Sequence, residues 1–227
     1  MKMRILVVAA HPDDEVLGAG ASIAKWSQYG HEVYTLILGE GVTSRKQIRD
    51  IDLDSHQLGV LHSEMMKANK ELGVKEVFTE QLPDNRFDQV DLLEVVKAVE
   101  KIVDNVKPEL VLTHFKSDLN IDHQITNQAV LTATRPTPQN TVKALWSFET
   151  LSATEWNYPL SFSPNLFQQV NQDQLECKVR AMQMYRSELR EHPHPRSIEG
   201  IRITAENWGL KNGVQFAEAF QILREIR

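Results

Sequence analysis

The chain carries one cysteine, Cys177, in 227 residues. That excludes an internal disulfide framework and a cysteine-based zinc site. Long apolar runs are missing as well. The N-terminal run extends only from Ile5 to Ala10 before charge begins, too short for a membrane span and leading into no signal-peptide pattern. Positive charge is not in excess: 25 Lys and Arg stand against 31 Asp and Glu, a formal net charge of -6. A nucleic-acid or anionic membrane surface is therefore not favoured as a partner. Neither an internal repeat nor a low-complexity segment is present. The expectation from these absences is a cytoplasmic protein with a small-molecule ligand and no nucleic-acid or membrane partner. The length suits one α/β domain spanning 1–227, with a substantial core.

What is present is an alternation of buried strands and amphipathic helices. Arg4 to Ala10 is short, β-branched and without polar alternation, as in a strand buried on both faces. From Glu15 to about Tyr29 the small apolar residues fall at helical spacing, and Gly30 stops the helix. Val33–Leu38 reads as a second strand, Gly39–Asp50 as a polar loop and Leu53–Leu72 as a helix closed by Gly73. Glu76–Thr79, Leu110–Thr113 and Ala144–Phe148 are further strand candidates. The run Leu92, Val95, Val96, Val99, Ile102, Val106 gives a helix ended by Pro108, and Ile125, Ala129 and Ala133 carry another. Pro136, Pro138, Pro159 and Pro164 mark a loop-rich region. Helices are expected around Leu175–Tyr185 and Ser197–Asn207, and Phe216–Leu223 suits either strand or helix. Strands alternating with helices imply right-handed crossovers and a mostly parallel sheet, with ligands at the carboxyl ends of the strands.

At the first such end stands "HPDDE", residues 11–15. His11 and Asp14, three apart across a turn fixed by Pro12, suit a hydrolytic zinc ion, which keeps three protein ligands and one position for water. Asp13 is better placed as the general base for that water. Capping of the following helix explains Glu15 and one of the aspartates without any metal. A dinucleotide site is disfavoured, because carboxylates occupy the turn where phosphate-binding glycines belong. A second cluster, "THFKSDLNIDHQIT", follows the strand at Leu110–Thr113. If the two strands are neighbours, His123 supplies the third ligand. His114 suits a hydrogen-bonded structural histidine equally well, and Asn120 or Asp122 suits the N-cap of the next helix.

These segments resemble the PIG-L/LmbE-like zinc-dependent de-N-acetylases. "AHPDDE" is similar to that family's first metal motif and "DLNIDH" to its second, while "LPDNR", "HPHPRSIEGI" and "AEAF" are similar to other segments, spread over nearly the whole chain. The resemblance implies a Rossmann-like three-layer sandwich. It implies a zinc-dependent hydrolase that removes acetyl from an N-acetylated sugar or sugar conjugate of the N-acetylglucosamine type. The alternatives are an amidase on a sugar-thiol conjugate or other amide, and a non-catalytic metal-containing carbohydrate-binding protein. His11, Asp14 and His123 match the ligand positions, for zinc or another divalent ion, and Asp13 matches the base. Many relatives have a histidine where Asn120 stands, three residues before the last ligand, so that histidine's role does not carry over. His194 is then the first candidate to stabilise the oxyanion, ahead of His192 and Arg196; the same stretch also suits a rigid turn with Ser197 as N-cap. Arg45, Asp84, Arg86 and Asn120 are candidate substrate contacts, and the loop charges among them equally suit solvated surface. Trp156 is a candidate for stacking on a sugar face. A homo-oligomer is expected on the resemblance alone.

Overall fold

The computed structural model describes residues 2–45 and 51–226, with the side chains of 45 and 51–54 left out. Among the described residues, seven strands form one sheet in the order β3-β2-β1-β4-β5-β7-β6. In chain order these are β1 (Arg4–Ala9), β2 (Glu32–Gly39), β3 (Glu76–Leu82), β4 (Leu110–His114), β5 (Ala144–Phe148), β6 (Leu166–Val170) and β7 (Phe216–Glu225). The helices are α1 (Asp14–Gln28), α2 (Ile51–Glu71), α3 (Leu92–Val106), α4 (Ile121–Ala133), α5 (Gln172–Met184) and α6 (Ile198–Lys211). The sheet is parallel from β3 through β5, and β7 runs antiparallel to both β5 and β6.

The non-alternating composition of β1 has a direct cause. Its residues are buried on both faces: Ile5, Val7 and Ala9 enter one core, Leu6, Val8 and Ala10 the other. The first core is shared with α1, α2, α5 and α6, the second with α3 and α4. Each fully buried Val, Leu or Ile stabilises the fold by roughly 1.5–3 kcal/mol, so β1 anchors both helical layers. The helix α1 lies unusually close to the sheet. A Cβ built on Gly18 would stand 2.2 Å from the Phe148 ring, and one on Gly20 2.9 Å from Lys178.

The expected elements through β5 are present, with β3 extended to Leu82. Phe216–Leu223 is resolved as strand and lengthened to Glu225. The loop-rich stretch conceals β6, which the sequence pattern does not announce. Its residues Leu166 to Gln169 are only partly buried or exposed, and it lies at the sheet edge with β7 as its partner. A strand with one hydrogen-bonded neighbour and no clean alternation carries little periodic signal. Among the described residues, no helix is long and apolar enough to cross a membrane.

Candidate metal and catalytic site

The neighbouring parallel strands β1 and β4 pair from Ile5–Leu110 to Val7–Leu112. Both expected clusters therefore meet at one edge. Beyond β1 the turn closes on itself, with the Asp14 Oδ2 accepting from the His11 N–H at 2.8 Å. Asp13 bends the chain with φ 103°, a strained conformation outside glycine. Beyond β4, the Asn120 side chain accepts from the Asp122 N–H at 2.8 Å and caps α4. That places Asp122 and His123 in the helix's first turn, facing the end of β1.

Three side chains converge there. His11 Nδ1 lies 3.4 Å and His123 Nε2 3.3 Å from Asp14 Oδ2, and the two ring nitrogens are 3.3 Å apart. One ligand atom from each of His11, Asp14 and His123 lies within 4.8 Å of the others. The outer ring nitrogens are held by carboxylates. His11 Nε2 is 2.9 Å from Asp122 and 3.3 Å from Asp84, and His123 Nδ1 is 3.1 Å from Asp118. Imidazoles oriented by carboxylates are the arrangement that fixes the tautomer of a metal-binding histidine.

The electrostatics favour positive charge at this point. Burial opposes charging His11, yet Asp122 and Asp14 hold its pKa well above the usual imidazole value. Burial likewise works against His123, but Asp14 and Asp118 push it up to about 9. Burial also opposes ionising Asp14, and the charge of His123 with hydrogen bonds from His11 and His123 overcomes this, holding its carboxyl well below the ordinary range. A divalent cation displaces such protons and takes the same place. The donor set of two imidazoles and one carboxylate, with outer carboxylates in position, fits zinc.

His114 does not join them. It is fully buried and stacked on His123 at 3.9 Å. Its Nε2 accepts from the Ala10 N–H at 2.8 Å and its Nδ1 lies 3.0 Å from the Thr150 hydroxyl. Burial, then the neighbouring His123, holds its pKa well below the usual value, so it is a neutral structural histidine. Glu15 is more than a helix start. It is fully buried and takes hydrogen bonds from Tyr185 at 2.6 Å, Asn69 at 2.9 Å and the Asp13 N–H at 3.1 Å. Burial pushes its pKa up to about 7. Nothing local in the sequence indicates these contacts, since Asn69 and Tyr185 lie far along the chain.

A cavity of about 230 Å³ opens over this cluster, lined by His11, Asp13, Asp14, Asp84, Asn120, His123 and Arg196 among others. Asp13 Oδ2 lies 3.2 Å from Arg196, which is also 3.6 Å from Glu188. Burial, followed by the charge of Asp14, drives the Asp13 pKa well above the usual carboxylate range, against the pull of Arg196. His194 is not among the lining residues; its Nδ1 accepts from the Arg196 N–H at 3.1 Å. Asp84 is engaged by the Ser44 hydroxyl at 2.6 Å and the Ser44 N–H at 3.1 Å. Asn120 donates to Asn85 at 2.8 Å. Arg86 is half-buried beside this region without lining the cavity, and the Arg45 side chain lies outside the described residues.

Known proteins resemble this chain in sequence and in fold. Residues 6–134 match the family model described as PIG-L, GlcNAc-PI de-N-acetylase. The uncharacterized deacetylase YaiS of Escherichia coli K12 is 30% identical over 81% of this chain and 90% of its own length. The diacetylchitobiose deacetylase of Thermococcus kodakarensis is 24% identical over 98% of this chain and 84% of its own. Among solved structures, the N,N'-diacetylchitobiose deacetylase of Pyrococcus horikoshii superposes with a TM-score of 0.76 at 22% identity, covering 98% of this chain and 84% of that one. GalB, a 4-carboxy-2-hydroxymuconate hydratase from Pseudomonas putida, superposes equally well, with a TM-score of 0.76 at 20% identity over 100% of this chain and 98% of that one. The fold alone therefore does not select a reaction. The family match over more than half the chain, together with the length and identity of the YaiS alignment, makes this protein a member of the PIG-L de-N-acetylase family.

Proposed function

We propose that the chain is a divalent-metal-dependent hydrolase that removes acetyl from an N-acetylated sugar of the N-acetylglucosamine type, acting as a single domain. The observation that carries this reading is the meeting of His11, Asp14 and His123 within 4.8 Å, with Asp13 beside them on the cavity wall. The named substrates of the relatives support the sugar class. A cation bound by those three residues, zinc or another divalent ion, would polarise an amide carbonyl and lower the pKa of water.

The chain's own groups do the rest. Asp13 accepts a proton from the attacking water at its carboxylate as the new C–O bond forms. Burial and the charge of Asp14 raise the Asp13 pKa above the usual carboxylate range, which makes it a stronger base. The same carboxyl then delivers the proton to the departing nitrogen as the C–N bond breaks, giving acetate and the free amine. Arg196, 3.2 Å from Asp13, keeps that carboxylate oriented and, on the cavity wall, is our candidate donor to the developing oxyanion. We assign the donor role to Arg196 ahead of His194, which does not line the cavity. Asp84 in this reading braces His11 and the Ser44 loop, and Asn120 caps α4 at the cavity edge.

The test measures acetate released from N-acetylglucosamine derivatives together with bound metal. Asp13→Asn should retain metal and lose about 10²–10⁴-fold in turnover, the usual contribution of a general base. Full activity in that variant would sink the assignment. A sugar-thiol amidase would show itself by its products, and a binding protein by no acetate at all.

A further inference from the structure

Between β5 and β6, one loop lines two cavities. Ser152 and Ala153 border the cavity over the metal cluster. The residues directly after them border a second cavity of about 260 Å³, walled by Tyr158, Pro159, Leu160, Phe162, Trp208 and Glu149. Leu17 and Leu151 from the first cavity and Glu149 and Trp208 from the second also line a small void of about 20 Å³. The two spaces are therefore adjoining.

The loop is held in place by hydrogen bonds. Thr154 donates from its hydroxyl to Asp118 at 2.5 Å, the same aspartate that braces His123. Asn157 donates to the Ser117 carbonyl at 2.9 Å. The Glu155 carboxylate accepts from the Ser152 and Ala153 N–H groups at 2.7 and 3.2 Å. Glu149 accepts from the Trp208 indole at 2.5 Å. These polar groups are thus already committed to the protein. The loop also exposes three large side chains with apolar surface: Trp156, Tyr158 and Leu160 are 41%, 82% and 54% exposed within five residues. Large apolar side chains concentrated at a cavity mouth mark a recognition surface.

We propose that this second cavity is a subsite for an apolar aglycone, an alkyl or aryl group attached to the N-acetylated sugar. The proposal rests on the deacetylase reading for the position of the sugar. A second sugar ring is disfavoured, because it needs several free hydrogen-bond partners for its hydroxyls, and of the polar side chains on this wall Glu149, Thr154, Glu155 and Asn157 already bond within the protein.

The test compares kcat/KM for N-acetylglucosamine, its octyl β-glycoside and N,N'-diacetylchitobiose, on the metal-loaded protein and on Tyr158→Ala/Leu160→Ala. Burying two methylenes is enough for roughly a tenfold preference. The octyl glycoside should be preferred by about tenfold or more. The double variant should lose that preference while keeping turnover of N-acetylglucosamine within about twofold. Equal rates for the octyl and free sugars, a preference for chitobiose, or a preference that survives in the double variant would overturn the subsite. If no substrate releases acetate, the deacetylase reading fails separately. Calorimetry with octyl β-glucoside, which carries no acetamide, then decides the subsite. Saturable binding to the unmodified protein supports it, and absence of binding overturns it. A dimer in sedimentation that the double variant dissociates would also overturn it, by assigning the loop to a second copy of the chain.

Discussion

Replacing Glu218 by Gln should destabilise the protein far more than its conservative chemistry suggests. Glu218 and Lys178 are 5% and 6% exposed and form an ion pair at 2.6 Å. Glu218 also accepts from the Ala21 and Ser22 N–H groups of α1 at 3.1 and 2.7 Å. Lys178 donates to the Leu17 carbonyl at 2.7 Å. Glu218→Gln leaves a buried ammonium without its counter-charge and turns an amide NH₂ toward backbone donors. Breaking one side of such a pair costs about 3–5 kcal/mol. Lys178→Met is milder, about 2–3 kcal/mol, because Glu218 keeps two backbone donors. In Lys178→Met/Glu218→Gln no charge remains, and the amide can donate to Leu17 while accepting from Ser22. The double variant should therefore lose only about 2–3 kcal/mol, a coupling of at least about 2 kcal/mol. Urea unfolding at constant metal saturation measures all three. Additive losses, or equal losses in the two single variants, would refute the account of this pair.

Three further outcomes are expected. Gly18→Ala should lower stability by about 1–3 kcal/mol through overpacking, since its Cβ would meet the Phe148 ring at 2.2 Å; an unchanged melting temperature would show that α1 can back away from the sheet. Burial raises the Glu149 pKa to about 7 from an ordinary value near 4.5. Its native state thus binds the proton more tightly, and stability falls as pH rises from about 4.5 to 7. Glu149→Gln should accordingly gain about 1–3 kcal/mol at pH 8 after allowance for solvent in the cavity, and almost nothing at pH 4.5; an equal gain at both values in thermal melts would reject this. Asp84→Asn should weaken metal binding by about 10–100-fold in a competition titration with a chelator, and unaltered affinity would remove Asp84 from the support of His11.

The sequence made the strand ends and the converging residues His11, Asp14 and His123 legible because each belongs to a local pattern. The buried run of β1 and the turn at His11–Asp14 lie within a few residues, and His123 follows β4 by a short cap. Arg196 reaches Asp13 across 183 positions, and no periodicity records such a contact. The same is true of Glu15, which looked like a first-turn acid and lies fully buried under Tyr185 and Asn69. Glu218 belongs to the "AEAF" segment, and its partner Lys178 lies 40 residues away on another element. The sequence shows such residues as motif letters; the fold supplies their physical reason. The edge strand β6 was hidden for the opposite reason, having too little burial to leave a pattern.

The position of β7 has a consequence for assembly. It is inserted between β5 and β6 and follows both in the chain. Until β7 is seated, β6 has no backbone partner in the sheet, and the loop before it is held through Thr154 and Asn157 rather than through the sheet. The residues proposed to hold the cation depend on β1, β4 and α4, which are complete much earlier in the chain. The chain order therefore separates two parts, the half that carries the His11–Asp14–His123 cluster and the later strands β6 and β7. Pulsed hydrogen exchange during refolding should show β6 and β7 gaining protection together, after β1 and β4; protection of β6 ahead of β7 would contradict this order.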